Sequence, residues 1–407
     1  MPTRRGWGTL VASVGFVGVG RFLGVVELYL LGVACAALVA GSLAFVRLRE
    51  AHVRVDRSLH PPRVHAGSDS RVELDLRNVG NRRTPVLSVD DAFDRGERWA
   101  RFLVPPLAPG EATRAAYRLP TDRRGVYDIG PLEVVLSDPF SLCSTRTTAA
   151  GVSQLTVYPR IDLVRALPTA RGQDPHSGTQ RPRALLGAGE DFYALRQYEV
   201  GDDLRRVHWK STARLDELMI RQDEMPWQTR LTILLDVRAS VHDDESLELA
   251  VSAAASIHDA SRRRQSLIRL VSTDGTDSGF AAGTAHDEAI LEHLAGVGAS
   301  RHDRLAGVTA ALRRAGNGGS LAVVTSDRAT RSDIDAVARL AGRYGTIVLV
   351  VVERSAYERS APLAAPGDLP TVGTVVRVNR DQQFGDAWER AVRPDGNRLH
   401  DPTPPRQ

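Results

Sequence analysis

The chain has 407 residues, of which 42% are hydrophobic and 25% charged, enough for two or three domains with buried cores. Its 53 basic and 49 acidic residues are interspersed along most of the chain and give a net charge of +4. This balance argues against a nucleic-acid partner. The two cysteines are too few for a disulfide framework or a structural zinc site.

Residues 1–49 are predicted to form a transmembrane α-hairpin. From Val25 to Val46 the chain is apolar apart from Glu27, and this run is long enough to cross a hydrocarbon core. The preceding apolar run, Trp7 to Gly20, is shorter and spans if Arg21 snorkels to the interface. We therefore expect helices over about residues 7–23 and 25–46, with the lipid bilayer as their partner.

The distribution of positive charge predicts the orientation of this hairpin. Arg21 is the one arginine in the turn, whereas the flanks carry Arg4, Arg5, Arg47, Arg49 and Arg54. Arginine-rich flanks stay in the cytoplasm, so we expect a protein of the cytoplasmic membrane with two helices and with both termini cytoplasmic.

An exported, adhesion-like receptor is the alternative topology, because the arginines at positions 4 and 5 precede an apolar run as in a twin-arginine leader. The first apolar run lacks an A-x-A-like cleavage site, and a stronger run follows at once. Both features favour the hairpin.

Residues 50–160 are predicted to form a β-sandwich-like region. Segments such as Arg71 to Arg77 alternate apolar and polar residues, the period of a half-buried strand. Turn residues separate these segments, as at 108–110 and 137–140. The sequence of this region favours a spacer or docking surface over an active site.

Residues 161–228 contain a dense mixture of acids, arginines and aromatics. Leu204, Val207 and His208 have helical spacing, so a short helix is predicted to begin after Asp202 or Asp203. The opposite charges favour an ion-pair clamp, and a hydrolase site around His208 is the alternative. The residues assigned to this segment are Asp191, Arg196, Tyr198, Gly201, Asp202, Arg205, His208, Trp209 and Arg214.

The same segment resembles the signature of the family called domain of unknown function 58. The resemblance lies in residues 189–221, in Arg123 to Leu132 and in Ser137 to Phe140. It implies a bacterial membrane protein with a von Willebrand factor A-like domain, whose partners are a MoxR-type AAA ATPase and a transglutaminase-like membrane protein. The biochemical activity of that family is undefined. The sequence itself has no Walker-type phosphate loop.

Residues 229–392 are predicted to form an α/β domain, a doubly wound parallel sheet of von Willebrand A type, and residues 393–407 a disordered tail. Asp236 and Asp327 follow two predicted strands and should meet at the edge where such sheets bind ligands.

The metal site that the resemblance implies, an Asp-x-Ser-x-Ser turn with a separate Thr and a second Asp around Mg²⁺, is degenerate in this chain. Asp236 and Ser240 are retained, but Arg238 stands where a serine ligand belongs, and only Ser300 is available for the Thr position. A guanidinium cannot ligate a cation. We therefore expect Arg238 to take the place of the metal and to pair with Asp236 or Asp327, or to face a partner's carboxylate.

These observations predict a membrane-anchored scaffold or adaptor without catalytic residues or a cofactor. The alternatives are a metal-dependent hydrolase that uses the segment around His208, with Mg²⁺ as its cation, and the exported receptor.

Overall fold

The computed structural model describes residues 1–49, 51–94, 96–167, 194–198, 207–215, 217–222, 230–301, 305–315, 318–354, 373–379 and 382–392. The chain divides into two compact units, Met1–Arg160 with Leu291–Val297, and Ile161–Ile290 with Gly298–Gln407. The predicted tail, 393–407, lies outside the described residues.

The first unit begins with two antiparallel helices, α1 (Arg4–Leu23) and α2 (Val26–Leu48). Both are long and apolar enough to cross a membrane. Ser13 Oγ donates to the carbonyl of Gly32 over 2.6 Å, and a Cβ at Gly32 would lie 2.6 Å from Val17 Cγ2. The small residue thus lets the two helix backbones approach closely, as in membrane helix pairs.

Two sheets follow the helices in the first unit. The strands are β1 (Val53–His60), β2 (Arg63–His65), β3 (Ser70–Asn78), β4 (Leu87–Phe93), β5 (Arg98–Val104), β6 (Ala112–Leu119), β7 (Gly125–Ser137), β8 (Ser144–Ala150) and β9 (Ser153–Tyr158). One sheet has the order β1-β3-β6, and the other β2-β9-β7-β4-β5 with β8 also paired to β7.

The alternation of apolar residues in β3 explains how the sheets pack. Val72, Leu74 and Leu76 are buried, and they share one core cluster with Leu87 of β4 and Ile129 of β7. Because side chains of a strand alternate between its faces, each sheet gives one face to this common core.

The remaining elements are β10 (Ala194–Gln197), α3 (Trp209–Leu215), β11 (Met219–Gln222), β12 (Arg230–Leu235), α4 (Asp244–Arg262), β13 (Leu267–Ser272), α5 (Thr284–Gly296), α6 (Leu305–Ala315), β14 (Ser320–Ser326), α7 (Arg331–Ala338), β15 (Thr346–Val352), β16 (Thr374–Val378) and α8 (Phe384–Ala391). Strands β12 to β16 form a parallel sheet in the order β13-β12-β14-β15-β16.

The order of this parallel sheet reverses at β12, whose neighbours are β13 and β14. At such a reversal the crossovers leave in opposite directions and open a crevice beyond the carboxyl ends of the strands. The residues that follow β12 and end β14, which include Asp236 and Thr325, lie at this edge of the sheet.

The start of the short helix predicted after Asp202 or Asp203 lies outside the described residues, which show a helix over Trp209–Leu215. Val207 forms a β-bridge, and the His208 amide donates to the carbonyl of Met219 over 2.8 Å. Val207 and His208 were predicted to be helical, and neither is, because the His208 amide is used by Met219 and is not available for a helical turn.

Candidate functional site

The candidate site lies at the carboxyl ends of β12 and β14, which are neighbours in register, with Leu235 opposite Val324. Asp236 directly follows β12, and Thr325 lies near the end of β14. The Asp236 amide donates to the Val324 carbonyl over 2.9 Å, so the backbone of the turn is fixed to the neighbouring strand.

The carboxylate of Asp236 is fully buried and accepts from two threonines. Thr325 Oγ1 lies 2.9 Å from Oδ2, and Thr273 Oγ1 lies 3.2 Å from Oδ1. Thr273, which directly follows β13, also accepts from the amide of Val237 over 2.8 Å. A buried carboxylate needs such partners, because an unpaired charge in the interior is very costly.

Arg238 supplies the compensating positive charge. Its Nε and Nη2 donate to Oδ1 and Oδ2 of Asp236, each over 2.9 Å, and Nη2 also donates to Oδ2 of Asp333 over 3.0 Å. Arg238 is only 3% exposed. Burial lowers the pKa of Arg238, but the hydrogen bonds and charges of Asp236 and Asp333 outweigh burial and raise it.

Asp333 also belongs to this site, although it was not among the residues predicted from the sequence. It lies in the first turn of α7, where Thr330 and Asp333 form a capping box. Burial raises its pKa, but the bonds from Arg238 and Thr330 prevail, so the pKa of Asp333 is lowered. The Thr-x-x-Asp spacing after a strand was the available signal, because it is typical of a helix start.

Asp327 and Ser240 have other surroundings. The Asp327 carboxylate accepts from the amide of Arg354 over 3.0 Å, and its own amide donates to the Val352 carbonyl over 3.0 Å. Ser240 is exposed in the turn before α4. Ser300 pairs through its backbone with this turn: its amide donates to Val237 O and its carbonyl accepts from Ala239 N, both over 2.7 Å.

The residues of this edge do not fit a divalent cation. Both oxygens of Asp236 already accept hydrogen bonds, and the guanidinium of Arg238 places a fixed positive charge beside them. Mg²⁺ needs an octahedron of oxygen ligands with free lone pairs. Within the described ranges, no group of three or more His, Cys, Asp or Glu could hold a metal ion.

His242 lies buried in the turn between Asp236 and α4, and it is 2% exposed. Its Nδ1 is 3.3 Å from Ser246 Oγ, whereas Nε2 has no hydrogen-bond partner in the part of the chain that the structure describes. Burial lowers the pKa of His242 to about 4, despite the opposing effect of Asp236 and Asp243. The buried imidazole of His242 is therefore neutral at neutral pH.

The charged segment is described only in part. Arg196 lies in β10, opposite Ile220 of β11, and the Tyr198 amide donates to the Leu218 carbonyl over 2.8 Å. His208 Nδ1 is 2.8 Å from Ser211 Oγ at the start of α3, Trp209 is 70% exposed, and Arg214 is exposed in the last turn. Asp191, Gly201, Asp202 and Arg205 lie outside the described residues.

The protein belongs to the class with two apolar N-terminal helices followed by a mixed α/β body of several sheets. The family model described as protein of unknown function DUF58 matches residues 194–398, half of the chain, and the chain belongs to that family. The expected family membership is thus confirmed. No curated protein matches the chain.

Some solved structures resemble parts of the chain. The CARDB domain of a Pyrococcus furiosus protein is 16% identical over 27% of this chain and 93% of that chain, with a TM-score of 0.21. A Bordetella pertussis protein described as ApaA is 12% identical over 27% and 96%, with a TM-score of 0.20, and a Listeria innocua β-glucosidase is 16% identical over 25% and 16%, with a TM-score of 0.17. At these TM-scores none of the likenesses shows a shared fold.

Proposed function

We propose that the protein is a scaffold or adaptor anchored in the cytoplasmic membrane by α1 and α2, with both termini in the cytoplasm. In this proposal the two sheets of the first unit form a β-sandwich, and the parallel sheet is a doubly wound domain of von Willebrand A type. The strand order of that sheet and the acid at the end of its first strand support this assignment.

The observation that carries the proposal is the ion-pair system of Arg238 with Asp236 and Asp333. It fills the position where a domain of this type would bind a cation. Asp236 and Arg238 are buried, Asp333 is partly buried, and Arg238 donates to both acids. Such a buried network rigidifies a surface and presents no reactive group to solvent. It suits a docking face better than a catalytic one.

The exposed arginines around this face favour a partner with an acidic surface. Arg301 directly follows Ser300, which pairs with the turn of Arg238, and Arg331 begins α7, which carries Asp333. Both arginines are exposed. Exposed charges at a rim steer the encounter with a partner of opposite sign. By family resemblance we propose a MoxR-type AAA ATPase as this partner, alongside a transglutaminase-like membrane protein.

The test is retention of the purified ATPase by detergent-solubilised full-length protein, with and without ATP. We expect Arg301→Glu combined with Arg331→Glu to abolish retention. The matched control is Arg313→Glu with Arg314→Glu, two exposed arginines at the end of α6, which should retain the ATPase. Absence of retention by the wild type, or equal loss in both double variants, would refute the proposed interface.

Topology is tested separately with a protease-cleavable tag at Gln407. The proposal predicts that the tag is protected in intact cells and cleaved in inverted membrane vesicles. Cleavage from outside intact cells would support the exported receptor instead.

The contact of His208 with Ser211 supports a hydrolase as a second candidate, because a histidine within hydrogen-bond reach can activate a serine hydroxyl. However, the Ser211 amide also points at Nδ1 of His208 over 3.3 Å, as in a helix cap. Hydrolysis of ester or phosphoester probes that is lost in both Ser211→Ala and His208→Ala would favour this candidate over the adaptor.

A further inference from the structure

The loop of residues 138–143, between β7 and β8, packs against the two N-terminal helices rather than standing free in solution. Ser42 Oγ of α2 donates to Oδ1 of Asp138 over 3.0 Å, and both residues are buried. Leu142 and Cys143 belong to one apolar cluster with Val39 and Val46 of α2. The loop therefore follows the surface of α2 over about two turns.

The same loop is fixed to the start of α1. The Thr3 amide donates to Leu142 O over 2.8 Å, and Thr3 Oγ1 donates to Ser141 O over 2.7 Å. A Cβ at Gly6 would collide with the Leu142 carbonyl oxygen, so glycine at this position lets the helix touch the loop. Residues 138–143 are thus level with the first turn of α1.

The first turn of α1 marks where the apolar part of the hairpin ends. Arg4 and Arg5 are exposed, and a charged side chain at this place stays at the surface of a bilayer, near anionic headgroups. Trp7, in the next turn, is 60% exposed. Tryptophan at the end of a spanning helix is typical of the interfacial zone.

Phe140 projects from the loop at this level. Its side chain is 61% exposed, whereas its backbone is held by the Asp138 carboxylate, which accepts from the amides of Phe140 and Cys143 over 2.8 and 2.5 Å. A single exposed aromatic is ordinary on a protein surface. A rigidly presented aromatic beside the cationic end of an apolar helix has the chemistry of an interfacial lipid anchor.

We propose that residues 138–143 form an interfacial membrane anchor, in which the ring of Phe140 inserts at the boundary between headgroups and acyl chains. This inference rests on the proposed membrane anchoring of α1 and α2. It adds a third attachment point and fixes the first unit against the bilayer surface.

The test uses full-length protein in vesicles of phosphatidylcholine and phosphatidylglycerol, with Phe140→Cys carrying the environment-sensitive fluorophore NBD. Cys143 is buried and Cys35 lies in α2, so unsubstituted protein treated with the same reagent measures background labelling. We expect blue-shifted emission that is quenched by spin-labelled lipid and protected from aqueous iodide.

Val126→Cys is the matched control, because Val126 is 51% exposed near the other end of β7, the strand that leads into the loop. At about 3.3 Å per residue it lies roughly 35 Å along the strand from the loop. Its label should keep the emission of a water-exposed probe and respond to iodide. Pro139→Cys, also exposed, carries the test if Phe140→Cys does not fold.

The outcomes separate the two proposals. Water-like emission at position 140 in protein that floats with vesicles and resists carbonate extraction would overturn the anchor and leave the transmembrane hairpin standing. Blue-shifted emission without lipid quenching would also overturn it, since the label at position 140 would then be covered by protein. Release of the wild type by carbonate would refute the hairpin and the anchor together.

Discussion

The guanidinium of Arg238 donates to both carboxylate oxygens of Asp236, from Nε to Oδ1 and from Nη2 to Oδ2, each over 2.9 Å. This two-point pairing is the strong, geometrically specific form of an ion pair. It lies at the reversal point of the parallel sheet, where a domain of this architecture would bind a ligand.

Arg238→Ala should be strongly destabilising, because it leaves the buried carboxylate of Asp236 without its counter-charge. Removing one partner of a buried pair costs about 3–5 kcal/mol. The measurement is denaturant unfolding of full-length protein followed by tryptophan fluorescence, to which the buried Trp388 contributes. Asp236→Asn combined with Arg238→Met removes both charges and should cost less. Equal stability of wild type and Arg238→Ala would contradict the assigned role.

Mg²⁺ should not raise the melting temperature of the wild type above its value in EDTA, because Arg238 holds both carboxylate oxygens of Asp236. The melting temperature of Arg238→Ser should rise with Mg²⁺, since the substitution frees the carboxylate oxygens of Asp236 and restores the Asp-x-Ser-x-Ser pattern with Ser240. A ligand at concentration c that binds only the folded state raises the free energy of unfolding by RT ln(1 + c/Kd), so the melting temperature rises with ligand concentration. A melting shift with Mg²⁺ in the wild type would show that the site accepts metal as it stands.

Stability should fall as the pH decreases from about 6.5 to about 4 because of His242. Its pKa in the folded chain is about 4, whereas an unfolded histidine has a pKa of about 6.5, so in this window only the unfolded chain takes up the proton. The full effect is on the order of 3 kcal/mol. The free energy of unfolding of His242→Gln should depend less on pH in this window. His286→Gln, in the same unit, is the matched control, and an unchanged slope in His242→Gln would contradict the prediction.

Asp138→Ala should loosen the loop that packs on α2. The amides of Phe140 and Cys143 lose their acceptor, a cost of about 1–3 kcal/mol, and local opening becomes correspondingly more frequent. In a Cys35→Ala background, maleimide should therefore label Cys143 about tenfold faster or more. Burial and the charge of Asp138 both raise the pKa of the Cys143 thiol. Opening of the loop and loss of this charge therefore lower that pKa, which also makes labelling faster.

The control for that experiment is Asp75→Ala, because Asp75 forms an exposed ion pair with Arg114 over 3.3 Å on β3 and β6. Labelling of Cys143 in this variant should match the wild type. Equal labelling in Asp138→Ala would show that the loop is held by other contacts.

Gly32→Ala should weaken the pairing of α1 with α2. The added Cβ would lie 2.6 Å from Val17 Cγ2 and 2.8 Å from Ser13 O, and such overpacking costs about 1–3 kcal/mol. Gly41→Ala is the control on the same helix, since a Cβ there meets nothing within 4 Å. The measurement is thermal unfolding in detergent by circular dichroism. If both variants melt alike, the close packing at Gly32 contributes nothing to stability.

Local patterns in the sequence determined much of the architecture. Uninterrupted apolar runs predicted both N-terminal helices, and the structure has them at Arg4–Leu23 and Val26–Leu48. The runs before Asp236 and Asp327 predicted two strands that the structure contains as β12 and β14. Such runs are reliable predictors because the burial of a segment depends on its own content of apolar residues. Family membership was also readable from the motif of residues 189–221, and the family model confirms it.

Tertiary structure alone decided which side chains meet. Asp333 and Thr273 join Asp236 from elements far along the chain, and no local pattern predicts that juxtaposition. The pairing of β5 with β4, across which Arg101 donates to Asp90, is also a contact between elements and not within one. The position of Phe140 beside α1 likewise depends on contacts across more than 130 residues. Sequence periodicity reports burial of each element, whereas a site depends on packing between elements that are distant in the chain.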